Sequence, residues 1–258
     1  MNIIGLLAVA VIMAAVIPSQ AQALVSGHRG TFRNPDAPEN TMAAFEYAHK
    51  QGADIIEFDV RWTKDQKKYI LHDALLDRTT NGTGRMEDHS SAYIRGLTID
   101  GGGKVPSFRA ATAYAKKTGM QINAEVKPVL GHPFTAAQAK SYVAIVYMFG
   151  MEKRTVVSSI SPKILTLIKK YDTKKAMRFS LIQEPGKPLH SPATVAAIGK
   201  VYMPLYTDLT PAYVAELHRR GVKIWAWPIR TEADREAALA LNVDVLVEDR
   251  PNKGALPS

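Results

Sequence analysis

In IIEFDV, residues 55–60, two carboxylates stand two positions apart in an otherwise apolar run. Side chains alternate faces along a strand, so Ile55, Glu57 and Asp59 share one side and Ile56, Phe58 and Val60 the other. Two carboxylates this close repel each other unless a cation sits between them, and an all-oxygen donor set suits Ca²⁺ or Mg²⁺. A pair of salt bridges to Arg or Lys would hold them equally well. NAEVKP, residues 123–128, repeats the device: Glu125 and Lys127 are again two apart, giving a third carboxylate and a cation able to pair with it or to bind a substrate oxygen.

His28 in SGHRG and His72 in YILHD both fall where a β-rich run stops. Histidine titrates near neutrality, so two that face each other can take a proton from one oxygen and give one to another. Arg29, beside His28, is a permanently charged fork suited to two oxygens of a phosphate, and Glu39 in PENT either orients it or serves the start of the following helix. Trp225 and Trp227 share a face near the end of another β-rich run, where they wall a pocket or fill a core. Asp249 closes the last run, as a supporting carboxylate or a turn residue before Pro251. His49, His89, His132, His190 and His218 lie in helical or loop contexts and read as structural or exposed.

These residues need a scaffold that brings strand ends together. Eight β-branched or aromatic runs, at 23–27, 53–60, 120–126, 154–160, 175–182, 200–206, 222–227 and 243–249, alternate with seven amphipathic segments, several of which open on Ser or Thr and several of which close on Gly, as capping prefers. That rhythm predicts an α/β fold, a (β/α)8 TIM barrel, with an open doubly wound sheet as the other arrangement it permits. Residues 73–105 break it. They are polar and Gly-rich and read as a small inserted subdomain after the second strand, placed to line or cap the site.

The 258 residues, 46% of them hydrophobic, suffice for one large core, and no linker or repeat divides the chain. With no cysteine, disulfides, thiolate metal sites and a thiol nucleophile are excluded. The formal charge of +9 suits nucleic acid, an anionic membrane or wall surface, or a phosphate-bearing substrate, but there is no Lys/Arg run, stacked-aromatic motif or zinc-finger spacing to favour nucleic acid. Residues 1–23 carry no charged side chain. Their apolar run, from 3 to 17, falls short of the roughly 20 residues that cross a bilayer, and Ala21-Gln22-Ala23 fits a small-x-small cleavage site. They predict a signal peptide cut before Leu24 and a secreted or periplasmic mature chain of residues 24–258.

Two histidines, Arg29, Lys127 and three carboxylates at the ends of the first strands suit phosphodiester hydrolysis with a divalent cation. GHRG (27–30), PENT (38–41), GADIIEFDVRWTKD (52–65), LHDALLDRTTNGTG (71–84), VPSF (105–108) and NAEVKP (123–128) resemble, in order and spacing, the glycerophosphodiester phosphodiesterases. The resemblance implies a (β/α)8 barrel that cleaves glycerophosphodiesters to sn-glycerol 3-phosphate and an alcohol with one Ca²⁺ or Mg²⁺. It implies His28 and His72 as the acid/base pair and Glu57, Asp59 and Glu125 as metal ligands. Arg29, Lys127, Glu39 and Trp225 are then expected on the substrate. The chain departs from the family where a pattern like WTVN is usual and Trp225, Ala226, Trp227, Pro228 stand instead, which leaves the alcohol open: deacylated phospholipids, lysophospholipids and glycerol-phosphate wall polymers all fit a secreted member.

Overall fold

The computed structural model describes residues 23–32, 34–254 and 256; the signal peptide expected at the N-terminus lies outside the described residues apart from Ala23. The chain runs β1 (Leu24–Gly27), α1 (Met42–Lys50), β2 (Ile55–Trp62), β3 (Lys68–Ile70), α2 (Ser91–Gly96), α3 (Phe108–Thr118), β4 (Gln121–Val126), α4 (Ala136–Met148) and β5 (Thr155–Ser159). It continues α5 (Pro162–Tyr171), β6 (Arg178–Ile182), α6 (Pro192–Ile198), β7 (Val201–Met203), α7 (Pro211–Arg219), β8 (Lys223–Ile229), α8 (Glu232–Ala240) and β9 (Val245–Glu248). β1 pairs in parallel with both β2 and β9, so the sheet closes on itself and the open-sheet alternative is excluded. Eight parallel strands, all but β3, form the ring, and helices between them cover it.

The period of two in β2 sorts its side chains as the sequence predicts. Ile56, Phe58 and Val60 face outward into the layer between strands and helices, where Phe58 meets Phe45 of α1 at 5.5 Å and Phe108 of α3 at 6.0 Å between ring centroids. Burying each such side chain stabilises the fold by about 1.5–3 kcal/mol. Ile55 faces the interior with Val156, Ile182, Val201, Trp225, Val245 and Val247. Those residues plug the ring and leave the space above them for Glu57 and Asp59. Helix starts are fixed locally: Thr41, Ser107, Thr135, Thr210 and Thr231 each accept a hydrogen bond from a backbone N–H of the first turn.

One strand stands outside the eight runs, although YILHD marks its end. β2 runs on to Trp62, turns through residues 63–67 and returns as β3, antiparallel, with Val60 opposite Ile70 and Trp62 opposite Lys68. The three residues of β3 carry too little alternation to separate it from the loop or to show that it runs antiparallel. The hairpin matters because it folds the chain back over the mouth: the Leu71 N–H donates to the Asp59 carbonyl (3.0 Å), and His72 comes next. The segment after it packs around a small core of its own, including Leu76, Met86, Ile94, Leu97 and Ile99.

Candidate active site

The GHRG turn is built by close approach. A Cβ on Gly27 would stand 2.2 Å from the Gly30 carbonyl oxygen, and one on Gly30 would stand 2.7 Å from the Ala44 carbonyl carbon. Gly30 has φ +75° and Arg29 has φ +53°, so the chain turns sharply at the end of β1. The turn points the Arg29 backbone N–H at Glu57 Oε2, 2.6 Å away.

Above the plug, Glu57, Asp59 and Glu125 each offer an oxygen, all within 4.8 Å of one another. Asp59 and Glu125 lie opposite each other in the β2–β4 register. Lys127 Nζ donates to Asp59 Oδ1 (2.9 Å) and Glu125 Oε1 (2.7 Å), Asn40 Nδ2 donates to Asp59 Oδ2 (2.7 Å), and Arg29 Nε stands 3.8 Å from that same oxygen. Burial opposes ionisation of Asp59, but Lys127, His72 and Arg29 outweigh it and hold this carboxyl well below its ordinary range. Glu57 goes the other way: burial, then the charges of Asp59 and Glu125, push it well up, and burial likewise raises Glu125. Of the two ways of holding the carboxylates, the salt bridges are present in the contacts of Lys127 and Arg29. One ammonium and one distant guanidinium leave three buried carboxylates short of positive charge, and oxygen-only donors at this spacing fit a hard divalent cation.

His28 and His72 flank this cluster from β1 and from the strand β3, and each is tied through Nδ1 to a carboxylate. His28 Nδ1 is 2.6 Å from Asp249 Oδ1, whose other oxygen accepts from Arg230 Nε at 3.2 Å. His72 Nδ1 is 2.6 Å from Asp73 Oδ1, and Arg78 Nε donates to the other oxygen of Asp73. Such pairing makes Nδ1 a donor and leaves Nε2 as the nitrogen free to exchange a proton. Burial disfavours the charged ring of His72 and, with Lys127 and Arg29 acting the same way, lowers its pKa despite the attraction of Asp59. Burial of Asp73 is outweighed by Arg78 and His72, which bring its carboxyl down to about 2.

A second tier fixes these groups. Glu39 accepts from Arg29 Nη1 (2.8 Å) and from both terminal nitrogens of Arg78 (3.0 and 2.8 Å), joining the two histidine arms through one carboxylate. Arg61, buried at the end of β2, donates from Nε and Nη2 to the His72 carbonyl (3.1 and 2.8 Å) and holds that backbone in place.

The structure thus gathers His28, His72, Arg29, Lys127, Glu39, Glu57, Asp59 and Glu125 in one mouth. Trp225 is elsewhere: it is 1% exposed, sealed in the barrel plug with the Arg178 guanidinium 5.8 Å from its ring. Trp225 therefore corrects the expectation of a substrate contact. The reason is depth along β8, since the same face one step higher carries Trp227, 6.4 Å from the His28 ring and anchored by its indole N–H to the Met203 carbonyl (3.0 Å). His218 is also less isolated than its sequence context implies, because its Nε2 meets Asp244 Oδ2 at 2.9 Å. That pair precedes β9, at the barrel end away from the mouth. Of the groups not singled out in sequence, Asn40 stands inside PENT and Asp73 directly follows His72; Arg61 and Arg78 also fall inside the motifs at 52–65 and 71–84, but nothing local there points to their partners.

Paired histidines, cations and clustered carboxylates at the C-terminal mouth of a parallel barrel define an enzyme site for an anionic substrate. Residues 28–253 match the Glycerophosphoryl diester phosphodiesterase family, and the chain belongs to it. The chain is similar to a glycerophosphodiester phosphodiesterase of Caldanaerobacter subterraneus subsp. tengcongensis, 29% identical over 237 residues that cover 88% of this chain and 94% of the relative. It is also similar to one of Bacillus altitudinis, 28% identical over 243 residues that cover 89% and 95%. Among solved structures, a glycerophosphodiester phosphodiesterase from Agrobacterium tumefaciens str. C58 superposes with a TM-score of 0.75 at 26% identity, over 89% of this chain and 97% of that one. An Oleispira antarctica phosphodiesterase, solved in complex with the product sn-glycerol-3-phosphate, shares the fold with a TM-score of 0.79 at 22% identity, over 88% and 93%.

Proposed function

We propose that this protein is an exported, metal-dependent phosphodiesterase that hydrolyses glycerophosphodiesters to sn-glycerol 3-phosphate and an alcohol. The observation that carries the reading is the symmetry of the site: two histidines, each tied through Nδ1 to a carboxylate at 2.6 Å, on either side of a carboxylate triad and two cations. The product named for the Oleispira structure supports the choice of substrate. Glu57, Asp59 and Glu125 would hold Ca²⁺ or Mg²⁺, which when bound supplies positive charge to the non-bridging phosphate oxygens. Arg29 and Lys127 add to that charge and orient the diester. One histidine takes the proton of the attacking hydroxyl on Nε2 while the other protonates the leaving alcohol oxygen, so the P–O bond broken is replaced by the one formed and no net proton is consumed. Glu39 and Arg78 hold the two arms at a constant separation.

Export rests on residues 1–23. Cleavage after Ala23 leaves β1 whole, since the ladder with β9 starts at Leu24. The N-terminal mass of the protein recovered from the periplasm or medium tests it; an intact leader on active protein would sink this part of the reading. For the chemistry, glycerophosphocholine should be turned over and the rate lost in EDTA. His28→Ala and His72→Ala should each lower turnover by about 10²- to 10⁴-fold. Full activity in EDTA, or in either variant, would overturn the proposal.

A further inference from the structure

Beside the mouth lies a groove of about 1000 Å³ between the β2–β3 turn, the loop after β4 and the length of α5. Its walls are mainly hydrocarbon, from Trp62, Val129, Pro133, Phe134, Ile164 and Leu167, with Trp62 and Phe134 packed edge to face at 5.2 Å. Lys127 belongs both to this lining and to the ion pairs of Asp59 and Glu125, so the groove is continuous with the site where the phosphate is held. Lys64, Lys163 and Lys170 stand exposed along it, against the carboxylates of Asp88 and of Glu87, the latter already paired with Arg61 at 3.1 Å. Leu130, on the same loop, is 91% exposed.

A small polar alcohol such as choline or glycerol has no use for a cleft of this size and lining. A glycerol-phosphate polymer would meet the lysines along the groove but leave the hydrocarbon of Val129, Phe134 and Leu167 uncovered. Clefts of some 300–1000 Å³ with apolar walls bind by burying hydrocarbon, and a ligand whose phosphate is beside Lys127 has its substituents next to this one.

We propose that the groove takes the hydrocarbon arm of the substrate, so that the preferred diester is a single-chain amphiphile carrying one long acyl or alkyl group. The inference rests on the phosphodiesterase reading for the word substrate. The cationic edge favours an anionic phosphate lying at the groove's entrance, and the exposed Leu130 extends the apolar surface beyond it.

The test separates groove from chemistry. Butyl- through dodecyl-phosphocholine, which keep a phosphodiester and one hydrocarbon arm, are titrated calorimetrically into the full chain below their micelle concentrations. Affinity should rise about three- to fourfold per added methylene until the groove is filled. Thr166→Glu and Val129→Glu, which put a carboxylate into the walls from positions outside the packed core, should flatten that rise while changing glycerophosphocholine turnover less than about twofold. A flat series in the unmodified chain, or an undiminished slope in both variants, overturns the proposal even if glycerophosphocholine is hydrolysed. A steep slope that the variants flatten, together with no hydrolysis of any diester, supports the groove as a hydrocarbon site and sinks the phosphodiesterase reading instead. Where both hold, kcat/KM on lysophosphatidylcholine should exceed that on glycerophosphocholine by at least about tenfold; equal values would overturn the substrate preference.

Discussion

His28 Nδ1 stands 2.6 Å from Asp249 Oδ1 although 221 positions separate them in the chain. Barrel closure makes the contact, because β1 pairs with β9 and the residues that follow the two strands meet at the mouth. Burial of Asp249 opposes its ionisation, but the bond to His28 outweighs that and lowers its pKa, so it stays a carboxylate able to fix the imidazole tautomer. Asp249→Asn should keep the fold and lower kcat by roughly 10- to 100-fold, less than loss of His28 itself. The pH–rate profile should shift along with the rate. Unchanged rate and profile would make Asp249 a turn residue only.

A divalent cation at the carboxylate triad should also leave a pH signature in stability. Glu57 and Glu125 have pKa values raised above their ordinary 4.5, so without a cation the stability they contribute is full below that value and is lost as pH rises through the raised ones. A divalent cation bound at the triad would replace those protons, so its stabilisation should grow as pH rises above the ordinary carboxylate range, reaching about 2.7 kcal/mol at a hundred times Kd. Thermal unfolding with Ca²⁺ or Mg²⁺ against EDTA measures it. A shift that is constant with pH, or that persists in Glu57→Gln with Glu125→Gln, would remove the triad as the site.

Arg29 spends its guanidinium on Glu39 and Asp59 while standing beside both histidine arms. Lysine keeps the charge and loses the fork, so Arg29→Lys should raise KM for glycerophosphocholine by about tenfold and lower kcat less. Glu39→Gln, which weakens the hold on Arg29 and Arg78 together, should act in the same direction. Steady-state kinetics separate the two parameters, and an unaltered KM in both variants would place Arg29 off the substrate.

Gly27 has no room for a methyl group, with the Gly30 carbonyl oxygen 2.2 Å and the Ala48 Cβ 3.0 Å from where one would sit. Gly27→Ala should destabilise the protein by about 3 kcal/mol through overpacking of this turn, measured as a lower urea midpoint at unchanged slope. Gly150→Ala, whose added methyl meets nothing within 4 Å though its φ is +61°, should cost less. Equal losses would show that space around Gly27 is not what selects glycine.

Local periodicity reads alternating strands and helices and the inward face of the mouth, while closure into a barrel rather than an open sheet rests on the pairing of β1 with β9. Alternation in IIEFDV places Glu57 and Asp59 on the inner face because a strand has a period of two whatever surrounds it, and Ser or Thr before an amphipathic run marks a helix start because the orphan N–H groups there need an acceptor. Asn40 and Asp73 were within reach for the same reason, each adjacent to a residue already singled out. Depth was not. Trp225 and Trp227 share a face, and only the register of β8 against β9, with Trp225 opposite Val245, decides that one is sealed in the plug while the other stands beside His28. Nor does any local pattern join Arg78 to Glu39, 39 positions away, or bring Asp249 to His28, since ion pairs and hydrogen bonds between distant residues depend on how the sheet closes and where the hairpin β2–β3 folds back. The sequence by itself determined which chemical groups the site contains and which way they face; tertiary closure decided which of them touch, because side-chain direction is set by the dihedrals of neighbouring residues whereas distance across a barrel is set by all eight strands together.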